Sequence, residues 1–362
     1  MLKGLTLIFL GFGKQAAIMA ASFLVRAFAS LLKYIFEINN IDLSNINDEY
    51  INKIKNIKEY KIQLDILNSI PKISQRSDEW YKMRQERLTA SDTAQAIGKG
   101  KFGSKKQLIE KKAYEEPSST NKFGASIPAL RHGIIFENMA LRCYQQRRNN
   151  IIVHEFGLIP HNDISCYGAS PDGISDIGIM IEIKCPLSRI IDGTIPEQYM
   201  LQMMGQMSVC NLKECDYIEC DIKEFKQIDE YLLEISDNQK IDHGIIIELN
   251  NNKYIYSPPY YTKSMLLEWI IEQQNIYDNI KKICPWKLNK IDVQRLHFNE
   301  DLWNLIVPQI KEFWEEVLEI KKNKSKIYLI KISKDIHHFQ IKSNTFPMVM
   351  TMVHHQQLQV AF

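Results

Sequence analysis

With 362 residues, 45% of them hydrophobic, the chain can build a real core in one large domain or two modest ones. Its 7 cysteines are odd in number, and Cys210, Cys215 and Cys220 recur every five residues without a C-x-x-C pair, which argues against a disulfide scaffold and a structural zinc site and favours a reducing intracellular compartment. The net charge of +2 is unevenly spread: surpluses of three at residues 1–40 and six at 321–362 leave the body at −7, so bulk charge neither marks nor rules out a nucleic-acid partner.

Residues 4–25 are apolar with Lys14 their only charge, and 27–36 continue the trend after Arg26. Residues 1–40 therefore read as an accessory or anchoring helix, with membrane association through residues 1–36 as the expectation and a signal peptide or a buried amphipathic helix as alternatives. Residues 41–73 are rich in Ile, Asn, Lys and Asp and read as a linker or helical extension. Next, Trp80, Arg84 and Arg87 recur at helical spacing, so that one helix presents an aromatic anchor and two guanidiniums able to grip phosphate. Ser91, ahead of Asp92-Thr93-Ala94, can cap a short helix whose free N–H groups attract the same anion. A core-sealing tryptophan beside ordinary surface arginines is an equal alternative. Lys99, Lys101, Lys105, Lys106, Lys111 and Lys112 add a basic run that either tracks a DNA backbone or faces solvent.

Residues 129–148 read as a helix with Gly133, Glu137, Ala140 and Tyr144 on one face. Glycine and alanine there allow close approach to a sheet, and Glu137 then points inward, where a charge needs a partner. A solvated glutamate is the alternative. His154 to Pro160 and Cys166 to Ala169 read as a sheet edge, with His154 and His161 as bystanders.

The stretch Ser170-Pro171-Asp172-Gly173, followed by Ile181-Glu182-Ile183-Lys184, is the most informative part of the chain. Strand side chains alternate, so Glu182 and Lys184 share one face while Ile181, Ile183 and Cys185 take the apolar one. Pro171-Asp172-Gly173 is turn chemistry that lets the chain fold back and bring Asp172 beside Glu182. Two carboxylates so placed repel unless a divalent cation lies between them, and oxygen ligands suit Mg²⁺ or Mn²⁺. A fixed ammonium at Lys184 would orient a hydrolytic water and offset charge on a phosphate. A plain surface hairpin is the alternative for these segments taken alone.

Pro196-Glu197-Gln198-Tyr199 opens a further helix that places Tyr199, Gln202 and Gln206 on one side, where amides can bond a metal-bound carboxylate without adding charge. Met200, Met203, Met204 and Met207 read as core filler, and Gly205 as a close approach to another backbone. Tyr217 to Ile222 reads as a strand, Ile245 to Leu249 and Lys253 to Tyr256 as a hairpin about three asparagines, and Met265 to Asn279 as a helix. Pro285 to Leu288 with Trp303, Phe313 and Trp314 close the domain. After a basic break at Lys321 to Lys326, Ile327 to Ile332 and Phe339 to Ile341 look like short β patches, which sets 321–362 apart as a basic extension.

Five motifs in this order resemble the YqaJ-like viral recombinase and lambda-exonuclease branch of the PD-(D/E)XK, or restriction-endonuclease-like, nucleases. They are Trp80-Tyr-Lys-Met-Arg84 running into Leu88-Thr-Ala-Ser91, Gly133-Ile-Ile-Phe-Glu137, Ser170-Pro-Asp-Gly173, Glu182-Ile-Lys184, and Tyr199-Met-Leu-Gln202 leading to Gly205-Gln206-Met207. The resemblance implies an α/β fold, a mixed twisted sheet flanked by helices, over residues 74–320. It implies two Mg²⁺ ions, with Mn²⁺ as a substitute, held by Glu137, Asp172, Glu182 and the backbone carbonyl of Ile183. Lys184 would assist the attacking water, Gln202 would line the site with Tyr199 nearby, and Arg84 and Ser91 would contact a terminal 5′ phosphate.

The activity so implied is 5′-to-3′ exonuclease action on duplex DNA ends in viral replication, repair or recombination. A homotrimer and a single-strand annealing partner come with the analogy, and host cytoplasm or nucleus with a viral setting. A structure-specific endonuclease and a noncatalytic nucleic-acid-binding scaffold are the rival readings. The intact Asp172, Glu182 and Lys184 argue against the scaffold.

Overall fold

The structure, a computed structural model, describes residues 48–73, 75, 77–114, 127–235 and 242–343, with side chains described from 59 to 323 among these. By internal contacts the chain divides into two units, residues 1–60 and 61–362. Helix α1 (Asp48–Ser69) runs across that division, and its Leu64 and Leu67 are buried.

The second unit is mixed α/β. Helix α2 (Asp78–Gln85) begins at Ser77, whose hydroxyl accepts the Trp80 N–H. Then come β1 (Leu88–Thr89), a 3-10 turn at Ala90–Asp92, the single-turn α3 (Thr93–Ala96), α4 (Lys105–Tyr114) and the long α5 (Pro128–Arg147). Strands β2 (Val153–His154), β3 (Ile159–Pro160), β4 (Tyr167–Ala169), β5 (Gly173–Ser175) and β6 (Met180–Lys184) lead to α6 (Glu197–Cys210) and β7 (Glu214–Glu224). The rest is α7 (Ile228–Glu234), β8 (His243–Leu249), β9 (Tyr254–Tyr256), α8 (Lys263–Ile276), the 18-residue β10 (Ile280–His297) and α9 (Glu300–Ser343).

The main sheet has the order β2-β5-β6-β7-β10-β8-β9, with β6 and β7 parallel and the other neighbours antiparallel. A small sheet, β1-β4-β3, stands apart from it. Strand alternation sorts the two faces. Ile181, Ile183, Ile218, Cys220, Ile222 and Ile246 pack with Ile135, Phe136, Met139, Ala140 and Cys143 of α5. The neighbouring Ile245, Ile247 and Leu249 turn the other way, to Leu266, Trp269 and Ile270 of α8. Both halves of the predicted fold class, twisted sheet and flanking helices, are present.

Four expectations are corrected. The reversal between β5 and β6 is made at residues 176–179, where Gly178 takes φ +78°, and not at Pro171-Asp172-Gly173, which enters β5. The β-like patches after Lys326 are helical in backbone, because α9 starts on a packed stripe of Trp303, Ile306, Ile310, Phe313 and Val317 and helix propagation outruns local β preference. A Cβ on Gly133 would meet nothing within 4 Å, so this glycine makes no close approach. On Gly205 a Cβ would fall 2.0 Å from the Tyr167 hydroxyl, a side chain where a backbone was expected.

The expectation of membrane association is also overturned: among the described residues no helix is long and apolar enough to cross a membrane, and residues 1–36 lie outside the described residues. All seven cysteines are free thiols.

Candidate active site

The register of β5 against β6 sets Gly173 opposite Ile181, so Asp172 comes level with Glu182 at the open end of the pair. There Asp172 Oδ2 accepts the Ile183 N–H at 2.7 Å. A strand residue directs N–H and C=O to the same edge, which puts the Ile183 carbonyl on the Asp172 side. The alternation within β6 is as its sequence predicts: Ile181 and Ile183 enter the core, while Glu182 and Lys184 share the opposite face as an ion pair.

Glu182 is fully buried, and helix α6 supplies its partners. Gln202 Nε2 donates to Oε1 at 2.7 Å and Gln206 Nε2 to Oε2 at 2.7 Å, one helical turn apart. Sequence reading placed both amides on this face but gave only Gln202 a site role; their i, i+4 spacing was the signal for the pair. Tyr199, a turn before Gln202, lies with its ring 4.9 Å from Lys184 Nζ.

Glu137, half-buried on α5, lines one cavity of about 460 Å³ together with Asp172 and Ile183. Lys72, Ile73 and Gln75 form part of the same lining. That preceding segment is pressed against β3's approach: Gln75 Nε2 donates to the Phe156 carbonyl at 3.2 Å, and a Cβ on Gly157 would fall 2.1 Å from the Ile73 carbonyl oxygen. A second cavity, of about 640 Å³, also touches Glu137 and Ile183 and adds Lys184, Arg189 and Tyr199.

Arg189 went unnoticed in the sequence because it sits in a loop with no periodicity. It pairs with the fully buried Glu219, which lies in register with Lys184 across β6 and β7 and accepts the Tyr217 hydroxyl at 2.6 Å.

The electrostatics of this end of the sheet are strained by like charges. Burial, then Glu182 and Glu137, push the Asp172 carboxyl well above the usual carboxylate range, against the pull of Lys184 and the Ile183 N–H. Burial works against the Lys184 ammonium, yet Glu182 and Asp172 outweigh it and raise its pKa. The described residues nevertheless contain no ready-made cluster of three acidic, histidine or cysteine side chains around one point. Asp172 and Glu137 share a cavity, whereas both oxygens of Glu182 are engaged by Gln202, Gln206 and Lys184. As a donor set, Asp172, Glu137, Glu182 and the Ile183 carbonyl suit a hard divalent cation in chemistry, being all oxygen.

A second group of predicted residues collects about α2. The Arg84 guanidinium lies 4.6 Å over the Trp80 ring, its Nη2 is 3.3 Å from Ser91 Oγ and 3.9 Å from Asp92 Oδ2, and Thr89 Oγ1 donates to Asp92 Oδ2 at 2.9 Å. Trp80 Nε1 donates to Ser170 Oγ at 3.3 Å, which ties this corner to the segment carrying Asp172. Two details differ from expectation. Ser91 caps no helix: it lies inside the 3-10 turn, and the side chain of Asp92, at the start of α3, makes no cap bond. Arg87 is beyond the end of α2, directed back to the Met83 carbonyl at 3.5 Å, so only one guanidinium is offered. Of the basic run, Lys99 pairs with Glu197, Lys105 with Glu316, and Lys112 is buried.

Comparison with known proteins agrees with these motifs. Residues 79–213 match the YqaJ-like viral recombinase domain model. An uncharacterised protein of Acanthamoeba polyphaga mimivirus is 27% identical over 339 residues, covering 79% of this chain and 60% of that protein, so the chain spans less than two thirds of that relative's length. Among solved structures, an alkaline exonuclease from Laribacter hongkongensis matches at a TM-score of 0.45 and 22% identity, over 70% of this chain and 100% of that one. A phage related exonuclease from Haemophilus somnus matches at 0.32 and 11%, over 67% and 96%. With the strand order, the Asp172–Glu182–Lys184 arrangement and the domain match together, the chain has a PD-(D/E)XK-like nuclease fold related to the YqaJ and lambda-exonuclease family.

Proposed function

We propose that this protein is a Mg²⁺-dependent deoxyribonuclease that degrades duplex DNA from its 5′ ends. The observation that carries the reading is the like-charge crowding at one strand end, where Glu182 and Glu137 push the Asp172 carboxyl up against the pull of Lys184, a repulsion that a divalent cation would relieve. Asp172, Glu137, Glu182 and the Ile183 carbonyl would hold the metal, which when bound polarises the phosphodiester and acidifies its water.

The side chains have distinct tasks. Lys184, held as an ammonium by Glu182 and Asp172, orients the attacking water by hydrogen bonding and offsets charge as the phosphate expands its coordination. Gln202 and Gln206 fix Glu182 without adding charge. Arg84 and Ser91 take the terminal 5′ phosphate, with Trp80 setting their distance from the acids through Ser170. Such resection leaves a single strand for annealing, which suits the viral recombinase description of the matched domain.

A time course on end-labelled linear duplexes with blunt, recessed and 5′-phosphorylated ends, with and without Mg²⁺, tests this. Release of label from 5′ ends only with metal is expected. Cutting of covalently closed circles while linear ends are ignored would replace the exonuclease by an endonuclease.

A further inference from the structure

Lys112 is 4% exposed, an unusual position for a lysine on a helix, where the ammonium ordinarily reaches water. Its Nζ donates to the Arg84 backbone carbonyl at 2.6 Å and stands 3.5 Å from Asp92 Oδ2. The tie between α4 and α2 is doubled by Gln85, whose Nε2 donates to the carbonyls of Lys111 and Lys112 at 2.9 and 3.1 Å. Arg84 is thereby held at its backbone by Lys112, on its face by Trp80, and at its edge by Ser91 and Asp92.

The charges of this corner decide what it can bind. Arg84 and Asp92 alone would cancel, leaving a guanidinium satisfied by its own carboxylate and little drawn to an anion. Burial works against the Asp92 carboxylate, but Lys112 and then Arg84 outweigh it and hold it ionised, so the cancellation is real. Lys112 restores one positive charge in excess.

We propose that Lys112 is a positioning residue for the terminal-phosphate subsite, fixing the Arg84 backbone and supplying the excess charge by which the enzyme prefers a 5′-phosphorylated end to a 5′-hydroxyl end. The inference rests on the reading that Arg84 and Ser91 receive that phosphate. Lys112 faces Asp92 from the 3-10 turn, Arg84 from α2 and Lys111 on its own helix. Burial pushes its pKa down to about 8, with Asp92 opposing and Arg84 and Lys111 adding to the fall. Its charge is therefore present at neutral pH and lost as pH rises past that value.

The test compares, for the full chain with Mg²⁺, the degradation rates of duplexes ending in 5′ phosphate and 5′ hydroxyl. The wild-type ratio is expected to exceed one at about pH 7 and to fall toward one by about pH 9.5, over which range the phosphate monoester stays doubly charged. Lys112→Met should lower the ratio about tenfold and abolish its pH dependence. A ratio unchanged in Lys112→Met overturns the proposal. So does a wild-type ratio that stays level across that pH range, a result that needs no variant to fold. A wild-type ratio of one at neutral pH would instead remove the Arg84 and Ser91 reading on which the inference stands.

Discussion

The sheet buries acids in two ways. In its middle and far half, Asp216 is fully buried yet meets Arg295, Arg148 and the Tyr144 hydroxyl, and Glu248, 1% exposed, meets Arg131 and Lys281. Both are neutralised locally, as stable proteins require of buried charge. At the β5–β6 end the balance is different: Asp172 accepts one backbone N–H while Glu182 and Glu137 raise its pKa, with Lys184 as the main opposing charge. The contrast teaches that burial of an acid says little by itself; an acid pushed up by neighbouring carboxylates, on a sheet that elsewhere supplies arginines, marks the place where the proposed chemistry is to be tested.

The comparison breaks first at Asp172. Replacement by asparagine should reduce Mg²⁺-dependent hydrolysis of end-labelled duplex by at least about a thousandfold, with the thermal midpoint no lower than wild type, since a repelling charge is removed. Retained activity would place the chemistry elsewhere. At the neutralised end, Arg131→Met should leave hydrolysis intact and cost about 3 to 4 kcal/mol in urea unfolding, because Glu248 and Glu224 lose a shared partner.

Metal sharpens the same contrast without any turnover. Mg²⁺ or Mn²⁺ at about a hundred times its Kd should stabilise the wild type by roughly 2.7 kcal/mol in calorimetry and leave Asp172→Asn unmoved. The smallest effects fall on the helices that flank the acids. Gly205→Ala should cost about 2 kcal/mol by driving a methyl group into the Tyr167 hydroxyl and its 2.5 Å bond to Thr93, whereas Gly133→Ala should gain about 0.5 to 1 kcal/mol from helix propensity in open space. Unfolding midpoints of the two variants would separate in opposite directions.

How far the sequence disclosed this molecule depended on the range of the forces involved. The faces of β6 were legible because alternation is a property of the strand alone, and Gln202 and Gln206 because helical spacing is. The turn between β5 and β6 was misplaced, since Pro-Asp-Gly is the stronger local signal than the Asp176-Ile177-Gly178 that makes the reversal. Glu219 and Arg189 meet only through the β6–β7 pairing, a long-range register that no window of sequence contains. Lys112 was hidden for the opposite reason: in a run of lysines it looked solvated, and its burial is decided by α2 packing against it.

One contact carries a practical consequence. Because Gly157 has no room for a side chain against the Ile73 carbonyl, and Lys72, Ile73 and Gln75 wall the cavity of Asp172 and Glu137, these three residues are structural members of the candidate site's chamber although the matched domain starts after them. An expression fragment cut at the domain border would open that chamber on one side, and a truncated enzyme that folds but fails would be reporting a missing wall and not a missing reagent.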